Sequence, residues 1–303
     1  MLSDQRAPHW TILGAGAIGT LFAHRLADSG CDVTLISRAH EVPQKVLTLE
    51  RNTGPQRRSF DLSPSAARGP LTQLLVTTKA ADVDPGIASV RHRLQADSTV
   101  LVLANGMGFT ADLPHGLPLF RGSTTEGAFR RSADQTVHAG RGSTRIGLPG
   151  AELPAPAWFE RSWARLDACH WDPDIDSTLW RKLAINCVVN PLTAVYRCRN
   201  GELAAAHYRA RLEMLCSEVT AACRAAGHAD AVSGLLDEVL RVVNATSANQ
   251  SSMLQDVLAG RRTEIDFLNG FLLSVPTVST LPLPLTRRLV DAVEQGIHLR
   301  EPR

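Results

Sequence analysis

The sequence predicts an α/β fold: a Rossmann-like N-terminal domain followed by a second, all-helical C-terminal domain. Three observations carry this. Short apolar runs alternate with helical patterns through the first half, the signature of a parallel sheet with crossover helices. A glycine turn, Gly14-Ala15-Gly16-Ala17-Ile18-Gly19, stands between the first apolar run and the first amphipathic segment. Past about residue 174 the strand signals nearly vanish, while helical patterns continue to the end of the chain.

Taken in order, Trp10–Leu13 reads as the first strand, Ile18–Ser29 as a helix closed by Gly30, and Val33–Ser37 as the second strand. Leu74–Thr78 and Thr99–Leu103 are apolar enough to be buried on both faces. Between about 115 and 150, glycines punctuate Leu119–Thr124, Thr136–Ala139 and Thr144–Gly147, which suggests antiparallel additions to the sheet. A further helix and strand cover about 157–171, so Pro154 and Pro156 mark a loop, and the domain hinge falls near Pro173. The domains are then 1–173, nucleotide-binding, and 174–303, helical and substrate-binding. In the second, Asp176 can cap a helix from Ser177 through Asn190, and Pro191 should kink or end it. Later helices are expected over about 208–226, 231–246, 252–259, 264–273 and 285–298.

Composition narrows the function. With 303 residues, 44% apolar and 20% charged, the chain is neither disordered nor fibrous. Thirty-two basic against thirty acidic residues give a net charge of +2, too little for a nucleic-acid surface. Six cysteines without a CxxC pair, and no histidines at zinc-finger spacing, read as reduced thiols with no metal site. No apolar run approaches a membrane span, and MLSDQRAPHW, with Asp4 and Arg6, lacks the apolar stretch of a signal peptide. A cytoplasmic protein with no membrane partner is expected, acting on a small molecule as a monomer or homodimer.

The glycine turn fits a dinucleotide site. Gly14 permits the tight turn, Gly16 lets backbone approach a pyrophosphate, and Gly19 lets helix and strand pack closely. The free N–H groups at the helix start favour an anion. The second strand ends Leu35-Ile36-Ser37-Arg38 without a carboxylate where NAD sites place one. Arg38 therefore favours the 2′-phosphate of NADP(H), against the alternative of an ordinary solvated arginine. Lys79, just past a buried strand, suits the cofactor phosphate or ribose; otherwise it is a surface lysine. Asn105, in Ala104-Asn105-Gly106-Met107-Gly108, suits a nicotinamide ribose or substrate; otherwise it belongs to a plain Asn-Gly turn.

The most informative segment is Leu179 to Pro191. Lys182, Asn186 and Asn190 recur at i, i+4 and i+8 and share one helix face, while the rest of Leu183–Val189 is apolar. A narrow stripe of one ammonium and two carboxamides on a buried helix needs partners. A bound polar ligand is one kind of partner, and the lysine can then give a proton to a carbonyl oxygen. A snorkelling lysine beside two asparagines in interhelical hydrogen bonds is the other reading.

WRKLAINCVVNPLTA, NQSSMLQDVLAGRRTEIDFLNGF, LLVTTKA and ANGMG together resemble the ketopantoate reductase family, over roughly residues 10–273. The resemblance implies two domains with the active site in the cleft between them, and hydride transfer from NADPH to 2-dehydropantoate, giving (R)-pantoate for pantothenate and coenzyme A synthesis. It makes Lys182 the proton donor, and Asn186, Asn190 and Asn200 (of Asn-Gly-Glu) substrate holders. It gives Ser252 the substrate carboxylate, with Asn249 one helical turn before it, and sets Glu264 beside the nicotinamide ribose and the catalytic centre. Arg38, Lys79 and Asn105 become cofactor contacts, and Ala128 a backbone contact to the nicotinamide end. Without the resemblance, Ser251-Ser252 reads as a helix N-cap and Glu264 as an exposed carboxylate.

Two features depart from the family pattern. Glu126 stands where a histidine or neutral residue is expected, and a carboxylate there opposes an anionic substrate unless it points away. Pro276 should stop a helix and leave Ser274–Pro284 as an extended linker. Two other functions fit the same features: reduction of another small 2-keto acid or an imine, and a non-catalytic NADP(H)-binding regulator.

Overall fold

The computed structural model describes residues 7–37, 42–114 and 116–299. Its contacts divide the chain into two compact units. The first holds the chain as far as Ala104 with Phe109–Asp176, and the second holds Asn105–Gly108 with Ser177 onward.

The first unit is built on one sheet of β1 (His9–Leu13), β2 (Asp32–Ser37), β3 (Gln44–Arg51), β4 (Gly54–Pro64), β5 (Leu71–Val76), β6 (Leu94–Val102), β7 (Leu119–Thr124), β8 (Gly127–Arg130), β9 (Gln135–Gly140), β10 (Thr144–Gly147) and β11 (Cys169–Trp171). Their order is β11-β10-β7-β6-β5-β1-β2-β4-β3-β9-β8. From β7 to β4 every neighbouring pair is parallel. The chain leaves β1 for β2 on one side and later returns to β5 on the other. The β1/β5 junction is thus the switch point at which open α/β sheets bind ligands. Helices α1 (Ala17–Asp28), α2 (Val83–Val90) and α3 (Ala157–Arg161) complete the unit. Trp10, Phe22, Phe120 and Trp163 fill one apolar cluster and Leu74, Val76, Ile87 and Val100 another, so the parallel strands are apolar on both faces.

One expectation is corrected here, and one pair of strands falls where none was expected. Leu119–Thr124 joins the sheet parallel to β6, not antiparallel; only β10 runs against it. Between Ser37 and Leu71 the chain forms the β3–β4 hairpin, turned at Gly54 with φ +111°. Its alternate residues are polar and exposed, so it carries no continuous apolar run.

The second unit is helical. It is centred on α4 (Ile175–Tyr196), with α5 (Arg209–Ala225), α6 (Leu235–Ala245), α7 (Ser252–Leu258), α8 (Asn269–Ser274) and α9 (Pro284–Glu294) around it. Apart from exposed Arg181 and a few half-buried positions, α4 is buried all round, as befits a helix whose polar groups form only a narrow stripe. Asp176 lies inside its first turn, not at its cap, and accepts the Gly150 N–H at 2.6 Å. Nor does Pro191 end the helix, which continues to Tyr196. The Cys187 carbonyl, deprived of its partner N–H, instead accepts Nδ2 of Asn269 at 2.9 Å.

The segment expected as one helix over 264–273 is a 3-10 turn, Ile265–Phe267, then α8, broken at Leu268 (φ −107°, ψ −95°). Past Pro276 the chain folds into turns instead of extending: Val278 and Ser279 donate back to the Val275 carbonyl, and Val278 is fully buried. Glu218 of α5 then caps α9, accepting the Leu285 and Thr286 N–H groups at 2.9 and 2.7 Å.

Candidate active site

The turn after β1 is held by the fold at two of its three glycines. Gly14 has φ +106°, and a Cβ there would stand 2.8 Å from the Thr78 nitrogen. A Cβ on Gly19 would stand 2.0 Å from the Gly14 carbonyl oxygen, which already accepts the Thr77 hydroxyl at 2.7 Å. Gly16 differs: its φ is −77°, and a Cβ on it would meet nothing within 4 Å. Among the described residues nothing fills the space beside Gly16, so its backbone is open to the approach of a ligand. Gly16 is also the N-cap of α1, whose first turn has no side-chain cap and no acidic residue. Those N–H groups and the helix dipole suit an anion. Ala15, Ala17 and Ile18 are half-buried around this opening. The donor set fits the pyrophosphate of a dinucleotide.

Lys79 is exposed three residues past β5, on the other side of the switch point, where it caps the 3-10 turn Ala80–Asp82. Ala128 lies on β8, the strand that ends the sheet order, and pairs with His138 just after a register shift at Gly127. Arg38 lies outside the described residues. Glu126 is corrected as an obstacle to anions. Its carboxylate is held by the Arg25 guanidinium, by His138 Nε2 at 2.7 Å and by the Gly142 N–H at 3.1 Å, and its side chain is 4% exposed. Arg25 compensates its charge locally.

In the second unit α4 carries the polar stripe. Lys182 and Asn186 are half-buried and Asn190 is buried. Neither asparagine has a side-chain hydrogen-bond partner among the described residues, so the two carboxamides make no interhelical bonds there. Asn105 Nδ2 donates to Glu264 Oε2 at 3.2 Å, and Glu264 is buried rather than exposed. The loop around Asn105 is pinned to the same segment. The Met107 N–H donates to the Phe267 carbonyl at 2.9 Å, and a Cβ on Gly106 (φ +78°) would lie 2.4 Å from that oxygen.

The remaining positions sort differently. Asn200 is buried, donates Nδ2 to the Thr246 hydroxyl at 2.9 Å and its N–H to the Asn249 carbonyl at 3.0 Å, and leaves Oδ1 without a partner. Asn249 is exposed in the loop before α7, not on a helical turn before Ser252. Ser251 is the N-cap of α7, accepting the Leu254 N–H at 3.0 Å, and its Oγ lies 2.6 Å from the buried Thr193 hydroxyl of α4. Ser252 follows it, exposed at the helix start. Sequence reading passed over Asn269 and the Thr193–Ser251 pair. Only Pro191, which frees a helical carbonyl, hinted that a distant donor was needed.

All six cysteines are buried and none forms a disulfide, and burial pushes Cys169, Cys216 and Cys223 up to about 12. Among the described residues no group of three or more His, Cys, Asp or Glu side chains could hold a metal, and no helix is long and apolar enough to cross a membrane.

The comparisons with known proteins cover both units. The model of ketopantoate reductase PanE/ApbA matches residues 10–150, and that of its C-terminal part matches 174–296. The 2-dehydropantoate 2-reductase of Shigella flexneri is 35% identical over 288 residues, 94% of each chain. The chain belongs to the ketopantoate reductase family. A probable 2-dehydropantoate 2-reductase from Bacillus subtilis has the same fold, with TM-score 0.79 and 26% identity over 95% of this chain and 99% of its own. D-mandelate dehydrogenase, solved with NADH and anilino(oxo)acetate, matches with TM-score 0.83 over 95% and 98% of the two chains. At 20% identity that likeness is one of fold alone. The ketopantoate reductase matches span both units of the chain.

Proposed function

We propose that this chain reduces 2-dehydropantoate to (R)-pantoate with NADPH. The observation that carries the reading is the stripe on α4: an ammonium and two unpartnered carboxamides on a helix otherwise buried in apolar surroundings. Bound at the turn after β1, NADPH supplies a hydride to the ketone carbon. Lys182 gives its proton to the carbonyl oxygen as negative charge develops there. The Asn186 and Asn190 amides donate to the hydroxyl and carboxylate of the substrate and accept from its hydroxyl, and Asn200, Asn249 and Ser252 hold its remaining polar groups. Glu264, fixed by Asn105, orients the lysine and the nicotinamide ribose. Gly14–Gly19, Arg38 and Lys79 hold the phosphates and ribose, and the Ala128 backbone holds the carboxamide end. The paired charge of Glu126 leaves the substrate carboxylate unopposed.

The test is steady-state consumption of NADPH and of NADH with 2-dehydropantoate, a panel of branched 2-keto acids and an imine. The reading expects kcat/KM highest for NADPH with 2-dehydropantoate. A higher value for another keto acid overturns the substrate, and absence of turnover with every substrate, despite NADPH binding, favours a regulator. Light scattering on the purified chain decides between monomer and homodimer.

A further inference from the structure

Proline at position 191 breaks α4 chemically without breaking it physically. It has no N–H, so the Cys187 carbonyl loses its helical donor, yet Cys187 is fully buried and the helix runs on for five residues. The missing donor comes from outside the helix: Asn269 Nδ2 lies 2.9 Å from Cys187 O. Asn269 is itself fully buried, and its Oδ1 has no partner, so this one bond is the polar work the amide does. The bonded carbonyl stands one residue after Asn186 and three before Asn190, in the turn that joins them.

Asn269 closes a segment that also reaches the Asn105 loop. Five residues earlier Glu264 accepts from Asn105, and two residues earlier the Phe267 carbonyl accepts the Met107 N–H. A single stretch, 264–269, therefore grips the Asn105 loop at one end and the asparagine turn of α4 at the other. An ordinary residue at 191 would let the helix close on itself and leave Asn269 with nothing to hold.

We propose that Asn269 is a positioning residue for the reduction: its amide replaces the hydrogen bond that Pro191 forfeits, and so fixes Asn186 and Asn190 relative to Glu264 and Asn105. This rests on the reading of Asn186 and Asn190 as substrate groups. Substituting Asn269 frees the carbonyl and lets that turn shift, and displacements of about 1 Å at a reacting site cost up to a hundredfold.

The experiment compares the full-length wild type with Asn269→Leu, Pro191→Ala and the double variant, by kcat, KM for 2-dehydropantoate, KM for NADPH and Tm. Asn269→Leu should raise the 2-dehydropantoate KM by about tenfold or more, with the NADPH KM nearly unchanged. In the double variant the new backbone N–H at position 191 can donate to Cys187 O, so its KM should return close to that of Pro191→Ala alone. Equal impairment with and without Pro191→Ala overturns the proposal, as does an unchanged KM in Asn269→Leu. If Asn269→Leu does not fold, the double variant decides: folded with the KM of Pro191→Ala supports the replacement, and folded with a raised KM, or unfolded, overturns it. Failure of the functional reading shows separately, in a wild type that reduces no 2-dehydropantoate.

Discussion

Alanine at Gly16 and at Gly19 should produce opposite defects, although both belong to one motif. A Cβ at Gly19 would lie 2.0 Å from the Gly14 carbonyl oxygen and 2.6 Å from the Thr77 hydroxyl, so strand β1 and helix α1 must separate by about 1 Å to admit it. Overpacking of this kind costs about 1–3 kcal/mol, which is about 2–4 °C of Tm for each kcal/mol in a unit of this size. A Cβ at Gly16 meets nothing within 4 Å, and the backbone there (φ −77°, ψ −160°) is open to any residue. Gly16→Ala should keep the wild-type Tm or gain slightly, since alanine removes freedom from the unfolded chain. Its methyl group nevertheless occupies the space above the α1 amides, and the NADPH Kd should rise about tenfold or more, about 1.4 kcal/mol. Thermal unfolding without cofactor and fluorescence titration with NADPH read the two effects separately. A Gly16→Ala protein that binds NADPH like the wild type refutes the placement of the cofactor, and equal destabilisation by both variants refutes the packing argument.

Lys182→Ala should lower kcat about 10²-fold or more while NADPH binding holds; full activity would remove the lysine from the proton transfer. Arg38→Ala should raise the KM for NADPH and leave that for NADH nearly unchanged, because only NADPH carries the 2′-phosphate; a parallel rise for both cofactors would deny Arg38 that contact. Glu218→Ala strips the acceptor from the Leu285 and Thr286 N–H groups and should cost about 1–3 kcal/mol in urea unfolding; an unchanged midpoint would show that α9 caps itself. Burial lowers the His24 imidazole to about 4, so the folded chain keeps it neutral while the unfolded chain titrates near 6.5. The stability it contributes is complete above pH 6.5 and falls as pH drops towards 4; His24→Leu should flatten that part of a Tm–pH profile, and an unaltered slope would assign the loss to carboxylates.

What the sequence made legible was local. The turn after β1 needs only a strand, three glycines and a helix within a short stretch, and the α4 stripe needs only a repeat of four among apolar neighbours. Features that depend on distant partners stayed hidden. The β3–β4 hairpin is half polar because one face of it is exposed, so neither strand shows the apolar run that marked its neighbours. The parallel placement of β7 follows from a crossover that periodicity cannot report. Pro191 read as a kink or an end of the helix because propensity weighs the lost N–H, whereas the fold supplies the Cys187 carbonyl with a replacement donor from 82 positions along the chain. Glu126 looked hostile to an anionic substrate because Arg25 and His138 are remote in sequence, yet they meet its carboxylate directly.

The same division separates the candidate residues by what else they do. Asn186 and Asn190 have no side-chain partner among the described residues, so their removal should touch substrate affinity and spare stability. Asn200 is different in kind: it ties Thr246 and the Asn249 carbonyl to the start of its 3-10 turn, and a Cβ on neighbouring Gly201 would stand 2.6 Å from Ser247 Cβ. Its Oδ1 remains without a partner, so the Asn200 side chain offers a ligand an acceptor there. Asn200→Asp keeps that acceptor and loses the donor to Thr246, while Asn200→Ala loses both. If Asn200 only braces the loop, the two variants lose Tm together and keep similar KM values. If it also accepts from the substrate hydroxyl, the alanine variant alone carries the added rise in KM, about two- to thirteenfold for one neutral hydrogen bond of about 0.5–1.5 kcal/mol.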